Sequence, residues 1–201
     1  MGQKVSEFYK IYCERKDLFK EYGYDIEAER EFVMGKARPL EGRVLEIGTG
    51  KGYLTVPLAR EGCHFLSMDV DANAQAMAVD VVRHLGLDTF VTFRVEDPSR
   101  LSFGNASFDN IISANTAHHF SHPAEFFKEI LRILADRGKI VMSDFSEDGF
   151  RLVETIHEKE GRRHSRGHAR LCDMIASIDT GFVSSEKYHT RFTDVYVLKT
   201  A

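Results

Sequence analysis

The chain of 201 residues favours a single globular domain, because domains average roughly 100 to 200 residues. Its 27 Lys and Arg residues against 31 Asp and Glu residues give a net charge of −4, a balance that argues against a nucleic-acid-binding protein. No apolar run approaches the ~18 residues of a membrane span, and the charged first segment lacks the apolar core of a secretion signal. The three cysteines lie far apart and form neither a disulfide framework nor a metal pair. We therefore expect a cytoplasmic protein without membrane contact.

The first 40 residues predict two helices and no strand. The helices lie near residues 7–19 and 26–36, and an aromatic and glycine break separates them. From about residue 43, short apolar runs alternate with helix-period stretches, a rhythm typical of a parallel sheet covered by helices. We accordingly divide the chain into a helical cap, residues 1–40, and an α/β domain, residues 41–201.

Five strands are predicted within the α/β domain, and two strand-like runs follow at its end: residues 43–47, 64–69, 90–95, 108–113, 139–144, 183–190 and 192–199. The last two runs indicate a closing antiparallel hairpin. Gly86 and Gly138 stand where helix C-caps are expected, and Pro57 predicts that the first helix of the domain begins late or is kinked. The expected fold is a doubly wound, mostly parallel seven-stranded sheet with a ligand crevice at the carboxyl ends of its strands.

The most informative segment is a buried-type strand that runs into three glycines at alternate positions, Gly48, Gly50 and Gly52. A dinucleotide-binding turn would place the third glycine one residue later, and a phosphate-binding P-loop would place Ser or Thr after Lys51. The spacing therefore argues against both of these phosphate-binding motifs. Alternating glycines provide a wide turn without Cβ atoms, over which a flat, uncharged nucleoside can lie closely. The acidic Glu46 before the turn would repel a diphosphate and suits a cationic ligand.

This segment resembles motif I of the class I S-adenosylmethionine-dependent methyltransferases, which have a Rossmann-like fold. The resemblance continues in order over about half of the chain, residues 42–145, through FLSMD at 65–69, VTFRVED at 91–97, SFDNIISAN at 107–115 and EILRIL at 129–134. It implies that S-adenosylmethionine is the cofactor, that Asp69 accepts from both ribose hydroxyls, and that Asp97, or next Glu96, accepts from the adenine amino group. The cofactor-binding residues that it implies are Glu46, Gly48, Thr49, Gly50, Gly52, Tyr53, Asp69, Val70, Glu96, Asp97 and Asn115.

The sequence TAHHF at 116–120 is similar to a region of small-molecule methyltransferases of the quinone-biosynthesis C-methyltransferase type. The resemblance implies methyl transfer to a small-molecule acceptor without a metal ion. If the acceptor carries a proton, a base is needed, and suitable side chains near the expected crevice are His118, His119, Asp144 and Tyr9. Helix capping before Pro123 is the structural alternative for both histidines.

A second group of polar side chains is not explained by the resemblance. His157, His164, His168 and Cys172 are spaced by 7, 4 and 4 residues, which would align them on one helix face. A solvated helix face, a site for an anionic substrate and a metal site are all compatible with this strip. Arginines in the same stretch favour the anionic substrate over the metal, with Arg163, His164 and His168 as substrate-binding candidates.

Two rival functions remain open at this point. One is a module that binds S-adenosylmethionine without catalysis, since fold does not fix function. The other is an RNA methyltransferase, although the acidic balance and the segment Asn115-Thr116-Ala117-His118 argue against it. We expect a small-molecule partner, no nucleic acid, and a possible homodimer.

Overall fold

A computed structural model describes residues 5–120, 122–161, 170–177 and 182–200 of the chain. Seven strands form one sheet in the order β3-β2-β1-β4-β5-β7-β6. The strands are β1 (Val44–Ile47), β2 (Phe65–Asp69), β3 (Val91–Val95), β4 (Phe108–Ala114), β5 (Leu134–Phe145), β6 (Phe182–His189) and β7 (Thr193–Thr200). The predicted seven-stranded, mostly parallel sheet is confirmed.

The strand order reverses direction between β1 and β4, and this reversal decides where a ligand can bind. Strand β1 pairs in parallel with β2 on one side and with β4 on the other. The chain therefore leaves the carboxyl ends of these neighbouring strands in opposite directions, which opens a crevice between them. Strands β6 and β7 pair antiparallel with each other, and β7 pairs antiparallel with β5, as the predicted closing hairpin requires.

The helices flank this sheet. They are α1 (Glu7–Glu21), α2 (Ile26–Ala37), α3 (Thr55–Arg60), α4 (Ala72–His84), α5 (Pro123–Ile133), α6 (Glu147–Lys159) and α7 (Leu171–Ala176). Asp71 caps α4 by accepting from the backbone N–H groups of Asn73 and Ala74. Among the helices of the described segments, none is both long and apolar enough to cross a membrane.

The N-terminal helices pack against the α/β domain. Val33, Met34 and Ala37 of α2 belong to the hydrophobic core under the sheet, together with Leu58. The end of α1 and the following turn pack on α6, where Phe19 and Tyr24 share a cluster with Val153 and Ile156. The division into a cap, residues 1–40, and a domain, residues 41–201, stays a prediction.

Two local predictions need comment. Helix α3 begins only at Thr55, so Pro57 lies in its first turn, where its missing N–H removes no helical hydrogen bond. The assignment of Gly138 as a helix cap was wrong, because α5 ends at Ile133 and β5 begins at once. The left-handed residue in this stretch is Arg137, with φ 58°.

Candidate active site

A cavity of about 730 Å³ lies at the carboxyl edge of the sheet, at the strand reversal. Its wall has two sides. We call the loops after β1, β2, β3 and β4 the sheet side, and helices α1 and α6 with the start of α2 the helix side. Residues of the sheet side include Gly48–Lys51, Asp69–Asp71, Asp97–Ser99 and Ala114–Thr116, and those of the helix side include Arg15, Phe19, Arg30, Val153 and His157. A volume of this size suits one or two small molecules.

The three glycines of the turn after β1 serve three different purposes. A Cβ on Gly48 would lie 2.1 Å from Thr116 Oγ1, so this glycine allows the loops after β1 and β4 to meet. A Cβ on Gly52 would lie 3.1 Å from Ala78 Cβ, which brings the turn close to α4. Gly50 has φ 50° and no atom near its Cβ position. Gly50 therefore leaves open space in the wall of the cavity.

Asp69, the last residue of β2, is held by the backbone on both oxygens. Its Oδ2 accepts from the Gly50 N–H at 2.7 Å, and its Oδ1 accepts from the Asp71 N–H at 2.9 Å. Each carboxylate oxygen can accept a further hydrogen bond. Asp69 thus presents two fixed acceptors, side by side, to the cavity.

A buried polar chain lies beneath the glycine turn. Glu46 is 0% exposed, and its Oε2 accepts from Thr55 Oγ1 at 2.8 Å and Ser67 Oγ at 2.6 Å. Ser67 in turn lies 2.6 Å from Thr49 Oγ1, and Gln75 donates to the same Thr49 oxygen. Burial raises the pKa of Glu46 to about 8, so its carboxyl is mainly protonated at neutral pH.

The third and fourth strands contribute less tightly held groups. Asp97 is exposed and forms a turn by accepting from the Ser99 N–H at 2.8 Å. Val70, which directly follows β2, also lines the cavity, and 66% of its surface is exposed, so it offers an apolar contact. Asn115 takes φ 53°, and its side-chain Nδ2 lies 3.5 Å from the Tyr24 hydroxyl.

His118 and Asp144 form a buried pair at the back of the cavity. The His118 Nδ1 atom lies 2.7 Å from Asp144 Oδ1, and the residue is 2% exposed. The backbone N–H groups of His118 and Phe145 also donate to this carboxylate, at 2.9 and 2.8 Å. Phe150 packs edge-on against the imidazole at 5.3 Å. These contacts fix the ring orientation of His118.

His119 follows directly and differs in environment. His119 keeps part of its surface exposed, but its ring lines the cavity and lies 4.0 Å from the ring of His118, where it has lost part of its contact with solvent. Loss of solvent contact and the neighbouring His118 lower the pKa of His119 to about 4. His119 is therefore neutral at physiological pH.

The helix side carries cavity residues that the sequence analysis missed. Arg30 of α2 is buried and lines the cavity, as does Tyr24. Arg15 of α1 also lines it, and its Nη1 atom pairs with Glu160 Oε1 at 2.6 Å. The helical spacing could have identified Arg30, because Ile26, Arg30 and Val33 share one face of α2 and a charged residue on an apolar face is unusual.

Several predicted site residues lie behind the cavity wall or away from it. Tyr9 stacks on His84 at 4.1 Å, between α1 and α4, and we assign it no part in catalysis. Glu96 accepts from Ser102 and holds its own loop. Five predicted residues are absent from the lining: Tyr9, Glu46, Gly52, Glu96 and Asp144. The proposed roles of the residues that do line it stay predictions.

The predicted substrate residues Arg163, His164 and His168 lie outside the described residues. Of the polar strip, the structure describes His157 on α6 and Cys172 on α7. Within the described ranges, no group of three His, Cys, Asp or Glu side chains is arranged to hold a metal ion.

The strand order, the glycine turn and the acid that ends β2 together define the class I methyltransferase fold. Residues 45–142 match the family model described as "Methyltransferase domain", which confirms the resemblance to the class I S-adenosylmethionine-dependent methyltransferases. This match implies S-adenosylmethionine as the methyl-donating cofactor.

The relatives and structural neighbours agree with this class. The chain is 32% identical to the mitochondrial ubiquinone biosynthesis O-methyltransferase of Arabidopsis thaliana over 60% of this chain and 38% of that protein. It is 30% identical to the demethylmenaquinone methyltransferase of Clavibacter sepedonicus over 57% of this chain and 46% of that protein. The matches thus span less than half the length of these relatives. The PH0226 protein of Pyrococcus horikoshii shares the fold, with a TM-score of 0.72 and 22% identity over 98% of this chain and 100% of that one.

Proposed function

We propose that the protein transfers the methyl group of S-adenosylmethionine to a small-molecule acceptor. The observation that carries the proposal is the placement of Asp69, with two fixed acceptor oxygens, beside the open space at Gly50 and at the strand reversal. The cofactor supplies a methyl group that its sulfonium centre already activates. The chain's own residues then have to bind, orient and exclude water, and orientation alone is worth about 7 to 11 kcal/mol.

The sheet side fits the nucleoside part of this cofactor. In the proposed arrangement Asp69 accepts from the two ribose hydroxyls, because each of its oxygens keeps capacity for one more hydrogen bond. Val70 supplies an apolar surface for the adenine ring, and Asp97 lies at the end of β3 with an oxygen available for the adenine amino group. Because Gly50 has no Cβ atom and faces open space, the ligand can lie close to the backbone of the turn.

The helix side and the histidines suit the acceptor. Apolar rings of Phe19, Phe120, Phe126 and Phe145 line the rest of the cavity. Helices α1 and α6 lie over it, so the enclosed space favours a small acceptor over a macromolecule. These features support the small-molecule class and leave the charge of the acceptor to experiment.

We assign His118 as the base for an acceptor that carries a proton. If Nδ1–H donates to Asp144, Nε2 is the acceptor nitrogen of the imidazole. Asp144 is then a positioning residue, which fixes the tautomer and stabilises the imidazolium once His118 has taken the proton. His119 lines the same wall but holds a proton only in acid, because of its lowered pKa.

The direct test is turnover. Purified protein is incubated with S-adenosylmethionine and with fractions of a small-molecule cell extract, and formation of S-adenosylhomocysteine is measured. We expect acceptor-dependent product, with kcat reduced at least about 100-fold in His118→Asn, the range of general-base catalysis. Binding of the cofactor without turnover in any fraction would support the non-catalytic rival. Methyl transfer to bulk RNA would contradict the small-molecule acceptor.

A further inference from the structure

Three polar side chains join α1 to the end of α6 at the wall of the cavity. Arg15 of α1 donates from Nη1 to Glu160 Oε1 at 2.6 Å, and its Nη2 atom lies 2.9 Å from His157 Nε2. Arg15 and His157 both line the cavity, whereas Glu160 lies behind them, outside the lining. We call these three residues the Arg15 cluster. The cofactor residues proposed above lie on the sheet side, so the cluster still has no role.

The contact between Arg15 and His157 fixes the charge of the cluster. A guanidinium nitrogen can only donate, so His157 accepts with Nε2 and its ring is neutral. Arg15 and Glu160 carry opposite charges, and the Arg15 cluster therefore has no net charge. A second carboxylate placed against Arg15 would lie beside that of Glu160 and be repelled. An uncharged oxygen atom meets no such repulsion.

Arg15 keeps hydrogen-bond donors for a ligand in spite of these two contacts. Its guanidinium has five N–H groups, and within the described segments one bonds to Glu160 and one to His157. The side chain is only 13% exposed, and its guanidinium carbon lies 5.0 Å from the centre of the Phe19 ring. Because these partners already hold the guanidinium, binding a ligand costs little further side-chain entropy.

A continuous row of rings leads from the Arg15 cluster to His118. The ring centres of Phe19 and Tyr24 lie 5.7 Å apart. Those of Tyr24 and Phe145 lie 5.9 Å apart, as do those of Phe145 and His118. All four rings line the cavity. An acceptor whose apolar body lies along this row has its reacting atom toward His118 and its other end toward Arg15.

We propose that Arg15 donates to an uncharged oxygen of the acceptor, such as a ketone carbonyl, remote from the atom that receives the methyl group. His157 and Glu160 are then positioning residues, which hold the guanidinium at the cavity wall. The inference rests on the proposed function, which places the acceptor between the Arg15 cluster and His118. A site built to hydrogen-bond one substrate group rejects molecules that lack it, because the site's donor is left unpaired. The Arg15 cluster thus sets acceptor specificity.

Three molecules of similar size test this assignment, by nuclear magnetic resonance titration into protein saturated with S-adenosylhomocysteine. Acetophenone carries a ketone oxygen, ethylbenzene has a methylene group in place of the carbonyl, and benzoate carries a carboxylate. The wild type should bind acetophenone at least about tenfold more tightly than ethylbenzene, the effect of a hydrogen bond from a charged donor. It should also prefer acetophenone to benzoate, because Glu160 already neutralises Arg15.

Three variants separate recognition from structure. Arg15→Met should lower acetophenone affinity to that for ethylbenzene and leave ethylbenzene affinity within about twofold. Glu160→Gln should strengthen benzoate binding about tenfold, because Arg15 then lacks the competing carboxylate; a purely structural role gives no reason for this gain. Lys16→Met is the matched control, with no affinity changed by more than about twofold. Lys16 is the next residue of α1, pairs with Glu27 at 2.7 Å and lies 5.2 Å from the Tyr12 ring centre, outside the lining.

Equal binding of acetophenone and ethylbenzene by the wild type, or equal loss of both in Arg15→Met, would overturn the proposal and leave Arg15 a structural role. Benzoate as the tightest ligand of the wild type would show an anion site and overturn the uncharged oxygen. An unchanged benzoate affinity in Glu160→Gln would contradict the neutralisation of Arg15. Circular dichroism checks that each variant is folded. Glu160→Gln retains Arg15, so it tests the same claim even if Arg15→Met does not fold.

If the wild type does not bind S-adenosylhomocysteine, the proposed function fails and this inference fails with it. If the wild type binds S-adenosylhomocysteine but none of the three molecules, or binds the three without preference, only the inference fails. The two failures are therefore distinguishable.

Discussion

The two sides of the cavity are built by different means. On the sheet side, Asp69 is fixed by the N–H groups of Gly50 and Asp71, and Gly48 lies against Thr116. On the helix side, Arg15 and Arg30 reach the cavity through long side chains from separate helices, and Arg30 has one long hydrogen bond. Backbone geometry shapes the first side, and side-chain chemistry shapes the second.

The difference explains what each side can do. A wall held by backbone hydrogen bonds keeps its shape whether or not a ligand is bound, which suits a part of the ligand common to all turnovers. A wall of side chains on helices can be changed by single substitutions without altering the fold, which suits the part of the site that sets specificity. Four substitutions test this contrast, and they follow in order of expected effect.

Gly48→Ala should produce the largest effect, a loss of about 3 to 5 kcal/mol in the free energy of unfolding. The new Cβ would overlap Thr116 and would occupy a left-handed conformation with φ 87°. Urea denaturation measures the loss. Gly50→Ala is the matched control, with a cost of only about 1 to 2 kcal/mol, because its Cβ points into open space. Equal losses at the two positions would show that the contact with Thr116 does not shape the turn.

Glu46→Gln should make the protein more stable at alkaline pH, by on the order of 2 to 4 kcal/mol at pH 8. The pKa of Glu46 is about 8 in the folded protein, against an ordinary value of 4.5 in the unfolded chain. Between these values the unfolded chain releases a proton that the folded protein keeps, so the wild type loses stability as pH rises from 4.5 to 8. The glutamine variant lacks this loss. Stability curves of the two proteins should converge near pH 4, and parallel curves would contradict the raised pKa.

Asp69→Asn should weaken binding of S-adenosylhomocysteine by about 1.5 to 3 kcal/mol, the range for hydrogen bonds to a charged group. In the asparagine, an NH2 group replaces one of the two carboxylate oxygens. This NH2 group cannot accept a hydrogen bond, so either the Gly50 N–H or the Asp71 N–H loses its acceptor. Calorimetry measures the dissociation constant, and Asp97→Asn at the exposed turn serves as the comparison, with a smaller effect. An unchanged dissociation constant for Asp69→Asn would show that the ribose acid is misassigned.

Arg15→Met should produce the smallest effect, about 0.5 to 1 kcal/mol of stability. Arg15 joins α1 to Glu160 at the end of α6, and its Nη2 atom lies 2.9 Å from His157 Nε2 on α6. Ion pairs with partial exposure contribute little. Thermal unfolding in low and high salt measures this contribution, which should shrink as salt rises. A loss above about 2 kcal/mol would mean that the helix side is held as firmly as the sheet side.

The sequence predicted the sheet side much better than the helix side. The glycine spacing after β1 and the acids near the carboxyl ends of β2 and β3 form local patterns, so the sequence alone indicates that Gly50 and Asp69 lie at the cavity, and their roles stay predictions. Arg30 was missed because its importance arises from the packing of α2 against the cavity, a long-range contact. The hydroxyl of Tyr9 makes it a candidate base in the sequence, but on α1 its ring stacks against His84. The start of β5 was placed five residues too late, since pairing of Leu134 with Phe108 overrides the local glycine signal.

Calorimetric titration of the wild-type protein with S-adenosylhomocysteine tests the central claim most directly. The account predicts saturable binding at a single site, weakened by Asp69→Asn, with no binding of NADH under the same conditions. Absence of any heat or thermal shift with S-adenosylhomocysteine and S-adenosylmethionine, together with binding of NADH, would contradict it.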